Sequence, residues 1–365
     1  MIYLDNASTT CLAPEVQEAL QRTFSIYGNA GSLHAQGRIA AETLHQARAT
    51  IAQSINAQPE EIIFTSGATE ANNLAIYGMM HNPQRTLITS SIEHPSIYTP
   101  AQLLAKERTV TFLPVNNEGF INETTLAKIT NKQSFVSIIH GNHEIGTIQP
   151  IKNISKTVHD AGGILHIDAT QSYTKTTIDV KKDNIDLMTI SSHKIHGPKG
   201  IGALYIKKGV IIQPLIHGGG QEQSIRPGTE NVLGAVGFAT AVTTATKNQD
   251  KHVQHMLKLR NQLTEQLLTL PKTKLNGNKK ERLCNNINIS FLGKEGDSLQ
   301  LQLSKNNIYT STGATCSTTT HEPSNVLKAL GLNNQAILGA LRITLSRYST
   351  PEEMIICLAT LKKIL

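Results

Sequence analysis

Seven short apolar segments alternate with helix-like segments over the first 206 residues, and this alternation limits the possible folds more than any other feature of the sequence. Strands that alternate with helices favour a mostly parallel sheet that is covered by helices on both faces. We therefore predict an α/β fold. The predicted strands are residues 61–65, 86–90, 110–114, 135–139, 163–168, 187–191 and 202–206, and helical periodicity lies near 70–80, 95–106 and 150–161.

The pattern changes after about residue 246, which indicates a second, smaller domain. A chain of 365 residues is long enough for two domains of ordinary size. We assign residues 15–246 to a large domain, and residues 1–14 together with 247–365 to a small α+β domain. The elements predicted for the small domain are helices at 252–270, 298–303 and 351–365 and strands at 285–291 and 341–345.

The composition argues against several classes of protein. A hydrophobic fraction of 39% and a charged fraction of 17% are typical of a globular chain. Trp is absent, which argues against base stacking on nucleic acid. No run of 18 apolar residues occurs, so we predict no membrane span. The net charge of +7 is spread along the sequence, which leaves open both an ordinary solvated surface and a docking patch for an acidic partner.

The four cysteines are Cys11, Cys284, Cys316 and Cys357, and their spacing matches neither a CxxC motif nor a zinc site. The N-terminus lacks the basic and apolar regions of a signal peptide. We therefore predict no metal and expect reduced thiols in the cytoplasm. Cysteines are commonly buried, as the apolar neighbours of Cys357 suggest. Cys316 instead lies in a small polar loop, residues 311–323, and is predicted to be exposed, mobile and reactive.

Polar residues follow several of the predicted strands, and ligands of open parallel sheets lie beyond the carboxyl ends of the strands. Residues 65–70 offer Gly67, the Thr69 hydroxyl and a helix N-terminus to a phosphate, although any strand–turn–helix needs a glycine and a cap. Asp168 ends a strand and is either a helix cap or an ion-pair partner. Lys194 follows a strand just before a Gly- and Pro-rich stretch. A desolvated lysine there is a nucleophile for aldehydes, whereas most lysines are ordinary surface residues.

Two further features are compatible with ligand binding. Three consecutive glycines in residues 217–222, followed by residues 226–231, allow close approach of the backbone to a ligand or form a flexible loop. Arg342 lies in a predicted strand. It either binds a carboxylate through two parallel hydrogen bonds or lies on the surface of an edge strand.

Taken together, these residues resemble the cysteine desulfurases of the NifS/IscS type, in the class V aminotransferase group of fold-type I enzymes that depend on pyridoxal 5'-phosphate (PLP). The resemblance runs almost end to end, from Tyr3-Leu4-Asp5-Asn6-Ala7 to the closing helix, with the motifs in family order. It implies a large PLP-binding domain with a mostly parallel sheet, a smaller α+β domain, a homodimer, and L-cysteine as substrate.

The resemblance also implies a role for each matching residue. Lys194 binds PLP covalently and moves the substrate Cα proton, His94 stacks on the ring, and Cys316 receives sulfur as a persulfide. Cofactor contacts are expected from Ala68, Thr69, His143, Asp168, Gln171, Ser191, His193 and Lys194, and from Thr229 at the neighbouring subunit's site. Substrate contacts are expected from Asn6, Asn29, His34 and Arg342.

Two positions depart from the family pattern. The family usually has Asn-Asn-Glu where this chain has Asn142-His143-Glu144, and it usually has Ala where Thr315 precedes the reactive cysteine. The segment from Cys316 to Ser324 has the length found in the long-loop desulfurases.

The resemblance predicts a cytoplasmic enzyme that converts L-cysteine to L-alanine and passes the sulfur from Cys316 to an acceptor protein. The acceptor could be an iron–sulfur scaffold or a thio-modification enzyme. No contact with nucleic acid or membrane is expected. The alternatives are another class V enzyme, such as an aminotransferase or a selenocysteine lyase, and a non-catalytic scaffold of a sulfur pathway.

Overall fold

A seven-stranded sheet occupies the centre of the larger part of the chain. The computed structural model describes residues 1–312 and 323–365, and every structural statement below concerns those residues. The strands are β1 (Ile2–Tyr3), β2 (Ile62–Thr65), β3 (Thr86–Ser90), β4 (Val110–Leu113), β5 (Ser134–Ile139), β6 (Ile164–Asp168), β7 (Leu187–Ser191), β8 (Gly202–Ile206), β9 (Thr273–Leu275), β10 (Asn286–Phe291), β11 (Ile308–Tyr309) and β12 (Ala340–Thr344). The α-helices are α1 (Pro14–Thr23), α2 (Ala35–Gln53), α3 (Ala68–Met80), α4 (Pro95–Leu104), α5 (Glu123–Ile129), α6 (Ile151–Asp160), α7 (Val232–Thr246), α8 (Gln249–Leu268), α9 (Gly296–Lys305), α10 (Asn325–Ala329), α11 (Asn334–Leu338) and α12 (Pro351–Ile364).

The order of the strands brings several strand ends to one edge of the large sheet. The order is β2-β8-β7-β6-β5-β3-β4. Strand β8 runs antiparallel to both of its neighbours, and the other neighbouring pairs are parallel. The carboxyl ends of β2, β3, β5, β6 and β7 therefore lie along the same edge. All seven predicted strands are found here, and the predicted α/β fold with a mostly parallel sheet is confirmed.

Both faces of this sheet are covered by helices. Alternate side chains of β8 belong to different hydrophobic clusters, because successive residues of a strand point to opposite faces. Ala203 and Tyr205 pack in the cluster that contains residues of α1, α2 and α7, whereas Leu204 and Ile206 pack with residues of α3 and α4. The helices α1 and α2 are elements that the sequence periodicity did not predict.

A smaller sheet lies in the C-terminal part of the chain, where β10 pairs antiparallel with both β12 and β9. Strand β1 pairs in parallel with β11, so the N-terminus joins this part. A separate hydrophobic cluster unites Ile2 and Leu4 with buried residues between 259 and 361. This separate core supports our proposal that residues 1–14 and 247–365 form a small domain beside residues 15–246. Within the described ranges, no helix has the length and apolarity needed to cross a membrane.

Candidate active site

A cavity of about 520 Å³ opens at the edge of the large sheet where the carboxyl ends of the strands meet. Its volume is within the range of small-molecule and cofactor sites. The fold therefore gathers residues that are far apart in the sequence. The predicted site residues that line the cavity are Ala68, Thr69, His94, His143, Asp168, Gln171, His193 and Lys194.

Lys194 ends a short 3₁₀ turn, Ser192–Lys194, that directly follows β7. Its Nζ donates to the carbonyl oxygen of Ala7 at 2.6 Å and to that of Ser8 at 2.7 Å. The side-chain amide of Gln171 also donates to the Ala7 carbonyl, at 2.8 Å. The N-terminal segment thus orients two pocket side chains, which the sequence analysis did not anticipate.

Asp168 is the last residue of β6 and is 3% exposed. Its Oδ2 accepts a hydrogen bond of 2.9 Å from Nδ2 of Asn72, and its Oδ1 accepts one of 2.9 Å from the backbone N–H of Thr170. These two hydrogen bonds fix the orientation of the carboxylate. Asn72 also donates to Oγ of Ser96 at 2.8 Å. The sequence alone does not identify Asn72 as a site residue. Its one signal is its position on α3, one turn after Thr69, which suggests a place near the pocket.

His94 lies at the N-terminus of α4, where its Nδ1 accepts a hydrogen bond from the backbone N–H of Ser96 at 3.1 Å. Its ring meets the ring of His143 edge to face, with centroids 5.0 Å apart. Burial lowers the pKa of His94, against the opposing effect of Asp168. The imidazole is therefore neutral at neutral pH, and because Nδ1 accepts a hydrogen bond, the ring carries its hydrogen on Nε2.

His143 occupies the position where the family pattern has asparagine. It is 8% exposed, and among the described residues its Nδ1 has no hydrogen-bond partner. Its Nε2 lies 3.6 Å from Oε1 of Glu144. Burial, followed by the electrostatic effects of His94, Arg342 and Lys194, holds the pKa of His143 well below its usual value. A neutral ring with one unsatisfied nitrogen on the pocket wall is suited to a hydrogen bond with a bound molecule.

Replacing His143 with asparagine is expected to alter PLP binding without abolishing it. An amide can still form one hydrogen bond with a bound cofactor but loses the ring contact with His94, so we expect a change in the PLP dissociation constant of about 3- to 10-fold, the scale of one hydrogen bond. The dissociation constant and the absorbance spectrum of the bound cofactor are the measurements. Unchanged values for both would show that the cofactor does not contact this residue.

One end of the cavity is suited to an anionic group. It is lined by Gly67 and by the first residues of α3, whose free N–H groups and helix dipole attract anions. A Cβ at Gly202 would lie 2.8 Å from backbone atoms of Gly67, so only glycine allows β8 to approach this turn. His193 and Lys199 also line the cavity, and burial lowers the pKa of His193 to about 4.

Arg342, on β12, lies behind the cavity wall. Its guanidinium donates to Oδ1 of Asp5 at 2.9 Å, to Oγ of Ser8 at 2.8 Å and to the carbonyl oxygen of His143 at 3.1 Å. Its Nε has no partner within the described residues. Arg342 thus contacts two residues of the cavity lining, Ser8 and His143. We predict that its guanidinium binds a substrate carboxylate, but Asp5 already accepts one of its hydrogen bonds.

The structure does not bring every predicted site residue to this cavity. Among the described residues, Ser191 is buried at the end of β7 with an unpartnered Oγ, and Asn6 donates its amide to the carbonyl oxygens of Tyr3 and Thr344. Three residues are exposed and do not line the cavity: Asn29, His34 and Thr229. Thr315 and Cys316 lie outside the described residues. The mobility of their loop stays a prediction.

Comparison with known proteins identifies the family. The model of the aminotransferase class-V family matches residues 2–355. The chain belongs to this family. It is 43% identical to a protein named cysteine desulfurase IscS from Methanosarcina thermophila, over 97% of this chain and 89% of the relative. It is 40% identical to a protein of the same name from Dictyoglomus turgidum, over 100% of this chain and 94% of the relative.

A solved structure titled NifS-like protein has the same fold, with a TM-score of 0.94 and 35% identity, and the match covers 100% of this chain and 98% of that one. The family relationship confirms PLP as the cofactor, and the cavity fits it. Two buried polar atoms of the cavity lining have no hydrogen-bond partner within the described ranges: Thr170 Oγ1 and His143 Nδ1. Leaving such an atom unsatisfied costs about 1–3 kcal/mol, so a bound polar molecule would stabilise the site.

Proposed function

We propose that the chain is a PLP-dependent cysteine desulfurase that converts L-cysteine to L-alanine and retains the sulfur as a persulfide on Cys316. The observation that carries this proposal is the convergence of Lys194 and Asp168 on one cavity, in a class-V chain whose relatives at 40% identity and above include proteins named cysteine desulfurase IscS. These relatives do not favour a selenocysteine lyase or an aminotransferase.

The cavity residues divide between two parts of the cofactor. We assign the phosphate to Ala68 and Thr69, the first residues of α3, and to His193, all of which line the cavity. Ser191, two residues before His193, is assigned to the same group. Asp168 supplies the carboxylate for the pyridine nitrogen. When bound, PLP accepts the electron pair that is released at the substrate Cα.

Groups that line the cavity can carry out the proton transfers. Lys194 Nζ, held by the carbonyls of Ala7 and Ser8, is placed to move the Cα proton. His94 is neutral and can exchange a second proton. Arg342 can bind the substrate carboxylate through Nε and through Nη2, the nitrogen that now contacts both Asp5 and Ser8, in competition with the Asp5 carboxylate.

The sulfur transfer balances without an external oxidant. The Cys316 thiolate attacks the substrate sulfur, an S–S bond forms and the C–S bond breaks. The electron pair of that bond remains on the alanine carbon, which is then protonated. L-cysteine plus the Cys316 thiol thus give L-alanine plus a Cys316 persulfide.

A homodimer is part of the proposal, because Thr229 is exposed and does not line the cavity of its own chain among the described residues. Arg226, three residues earlier, donates to Oε1 of Glu70 at 2.7 Å, and Glu70 lines the cavity. This ion pair holds the segment that carries Thr229 close to the anion-binding end. We propose that Thr229 completes the phosphate site of the other subunit.

Subunit mixing tests this arrangement. Thr229→Ala should weaken PLP binding about tenfold, the scale of one hydrogen bond to a charged group. A hybrid of one Thr229→Ala subunit and one Lys194→Ala subunit should regain one site of normal affinity, because the intact lysine and the intact threonine then meet across the interface. A hybrid with only weakened sites, or a fully active monomer in solution scattering, would contradict the proposal. Thr240→Ala, on α7, is the matched control because its hydroxyl bonds only within its helix.

Two finer points also belong to the proposal. We propose that the enzyme works in the cytoplasm and that the persulfide passes to an acceptor protein such as an iron–sulfur scaffold.

Alanine formation tests the main function. Purified protein that is loaded with PLP and given L-cysteine and a thiol should release alanine and sulfide in equal amounts. Formation of 3-mercaptopyruvate in the presence of an amino-group acceptor, or no alanine at all, would refute a desulfurase.

A further inference from the structure

A buried carboxylate links the pocket wall to the residues that follow Cys316. Glu144 is 6% exposed, and its Oε2 accepts a hydrogen bond of 2.5 Å from Oγ of Ser324, which is 7% exposed. Ser324 lies eight residues after Cys316 in the sequence. Burial raises the pKa of Glu144 to about 7, and the hydrogen bond from Ser324 opposes this rise.

The other side of Glu144 faces the cavity. Its Oε1 lies 3.6 Å from Nε2 of His143, whose ring is part of the cavity wall. Its backbone carbonyl accepts hydrogen bonds from the side-chain amides of Asn286 and Asn288, at 3.0 and 3.3 Å. Strand β10 therefore fixes the main chain of Glu144, and its carboxylate has little freedom to move away from either contact.

The residues that precede Cys316 are attached to the same group of side chains. Ser311 and Arg342 exchange two backbone hydrogen bonds, of 3.1 and 2.6 Å. The guanidinium of Arg342 in turn donates to the carbonyl oxygen of His143. Both described ends of the chain around Cys316 are thus held by His143, Glu144 and Arg342.

We propose that Glu144 is a positioning residue for sulfur transfer, which fastens the chain at Ser324 to the wall that contains His143 and so fixes the point from which Cys316 reaches the substrate. This inference rests on the proposed desulfurase function. Neither Glu144 nor Ser324 lines the cavity. Their loss should therefore slow the attack of Cys316 and leave the binding of both molecules unchanged.

Ser324 has a second contact that the test must separate from the first. Its Oγ also accepts a hydrogen bond from the backbone N–H of Leu327 and caps α10. Ser324→Ala removes both contacts, whereas Ser324→Thr keeps a hydroxyl for both. Asn333→Ala is the matched control, because Asn333 caps α11 through an equivalent bond to Ala336 and has no contact with Glu144 among those described.

The measurements are the kcat and KM for alanine formation and the single-turnover rate of persulfide formation on Cys316. Ser324→Ala and Glu144→Ala should each lower kcat and the single-turnover rate about 3- to 10-fold, the scale of one hydrogen bond. KM and the cofactor spectrum should remain within about twofold of those of the unaltered protein. The double variant should be no slower than the slower single variant, because both remove the same link. Ser324→Thr should restore the rate.

Equal rates for Ser324→Ala and Asn333→Ala would overturn the inference, since a helix cap would then explain the whole effect. Losses that multiply in the double variant would overturn it as well. If the unaltered protein makes no alanine from cysteine, the proposed function fails instead, and that result is distinct from a failure of the link between Glu144 and Ser324.

Discussion

Replacing Lys194 with alanine is expected to abolish covalent binding of PLP and to lower alanine formation by about 100- to 10,000-fold, the range for loss of a general acid–base group. Lys194 lies at the end of β7 in the cavity that also contains Asp168. Two carbonyl oxygens direct its Nζ. Alanine at this position removes both the attachment point and the group that moves the Cα proton. Cofactor absorbance and single-turnover alanine formation are the measurements.

The matched control is Lys199→Ala. Lys199 lines the same cavity but is exposed, so its loss should leave the covalent attachment in place. Borohydride reduction followed by peptide mapping should label Lys194 in the unaltered protein. A label on Lys199 or Lys175 would contradict the assignment, as would a Lys194→Ala protein that keeps the absorbance of the covalently bound cofactor.

Much of the fold could be predicted because the large sheet is built from local signals. Segments such as residues 135–139 and 187–191 are mostly apolar, as is typical of strands buried on both faces. The residues after them are polar because parallel strands end at one edge, where a ligand binds. Helix α2 was harder to predict. Its buried residues include Ala40, Ala47 and Ala52, which give a weak hydrophobic pattern.

The unpredicted parts of the site depend on contacts between distant segments. Lys194 is held by the carbonyl oxygen of Ala7, 187 residues away in the sequence, and any residue type could supply that oxygen. The contact of Arg342 is also one between distant segments, because its guanidinium binds Asp5, 337 residues away in the sequence. An arginine in a strand predicts a carboxylate partner, but only the fold shows that the chain itself supplies one.

Cys316→Ser is expected to bind L-cysteine normally and to release about 1000-fold less alanine, the scale for loss of a catalytic nucleophile. Binding requires Lys194, Arg342 and the cofactor, none of which the substitution changes. Transfer requires a thiolate at position 316, and a serine hydroxyl does not ionise at neutral pH. The measurements are the absorbance change on adding cysteine, which should persist, and alanine release, which should not.

The other three cysteines give this experiment its controls. Burial raises the pKa of Cys284 to about 11 and that of Cys357 to about 12, so both thiols are protonated at neutral pH and unable to attack sulfur. Cys11 is exposed, but it lines a different cavity and its Sγ lies 3.8 Å from Nδ1 of His196. Cys11→Ser should therefore retain alanine formation. Persulfide labelling that marks Cys11, or normal turnover by Cys316→Ser, would contradict the role of Cys316, because each would require a thiolate elsewhere to reach the substrate.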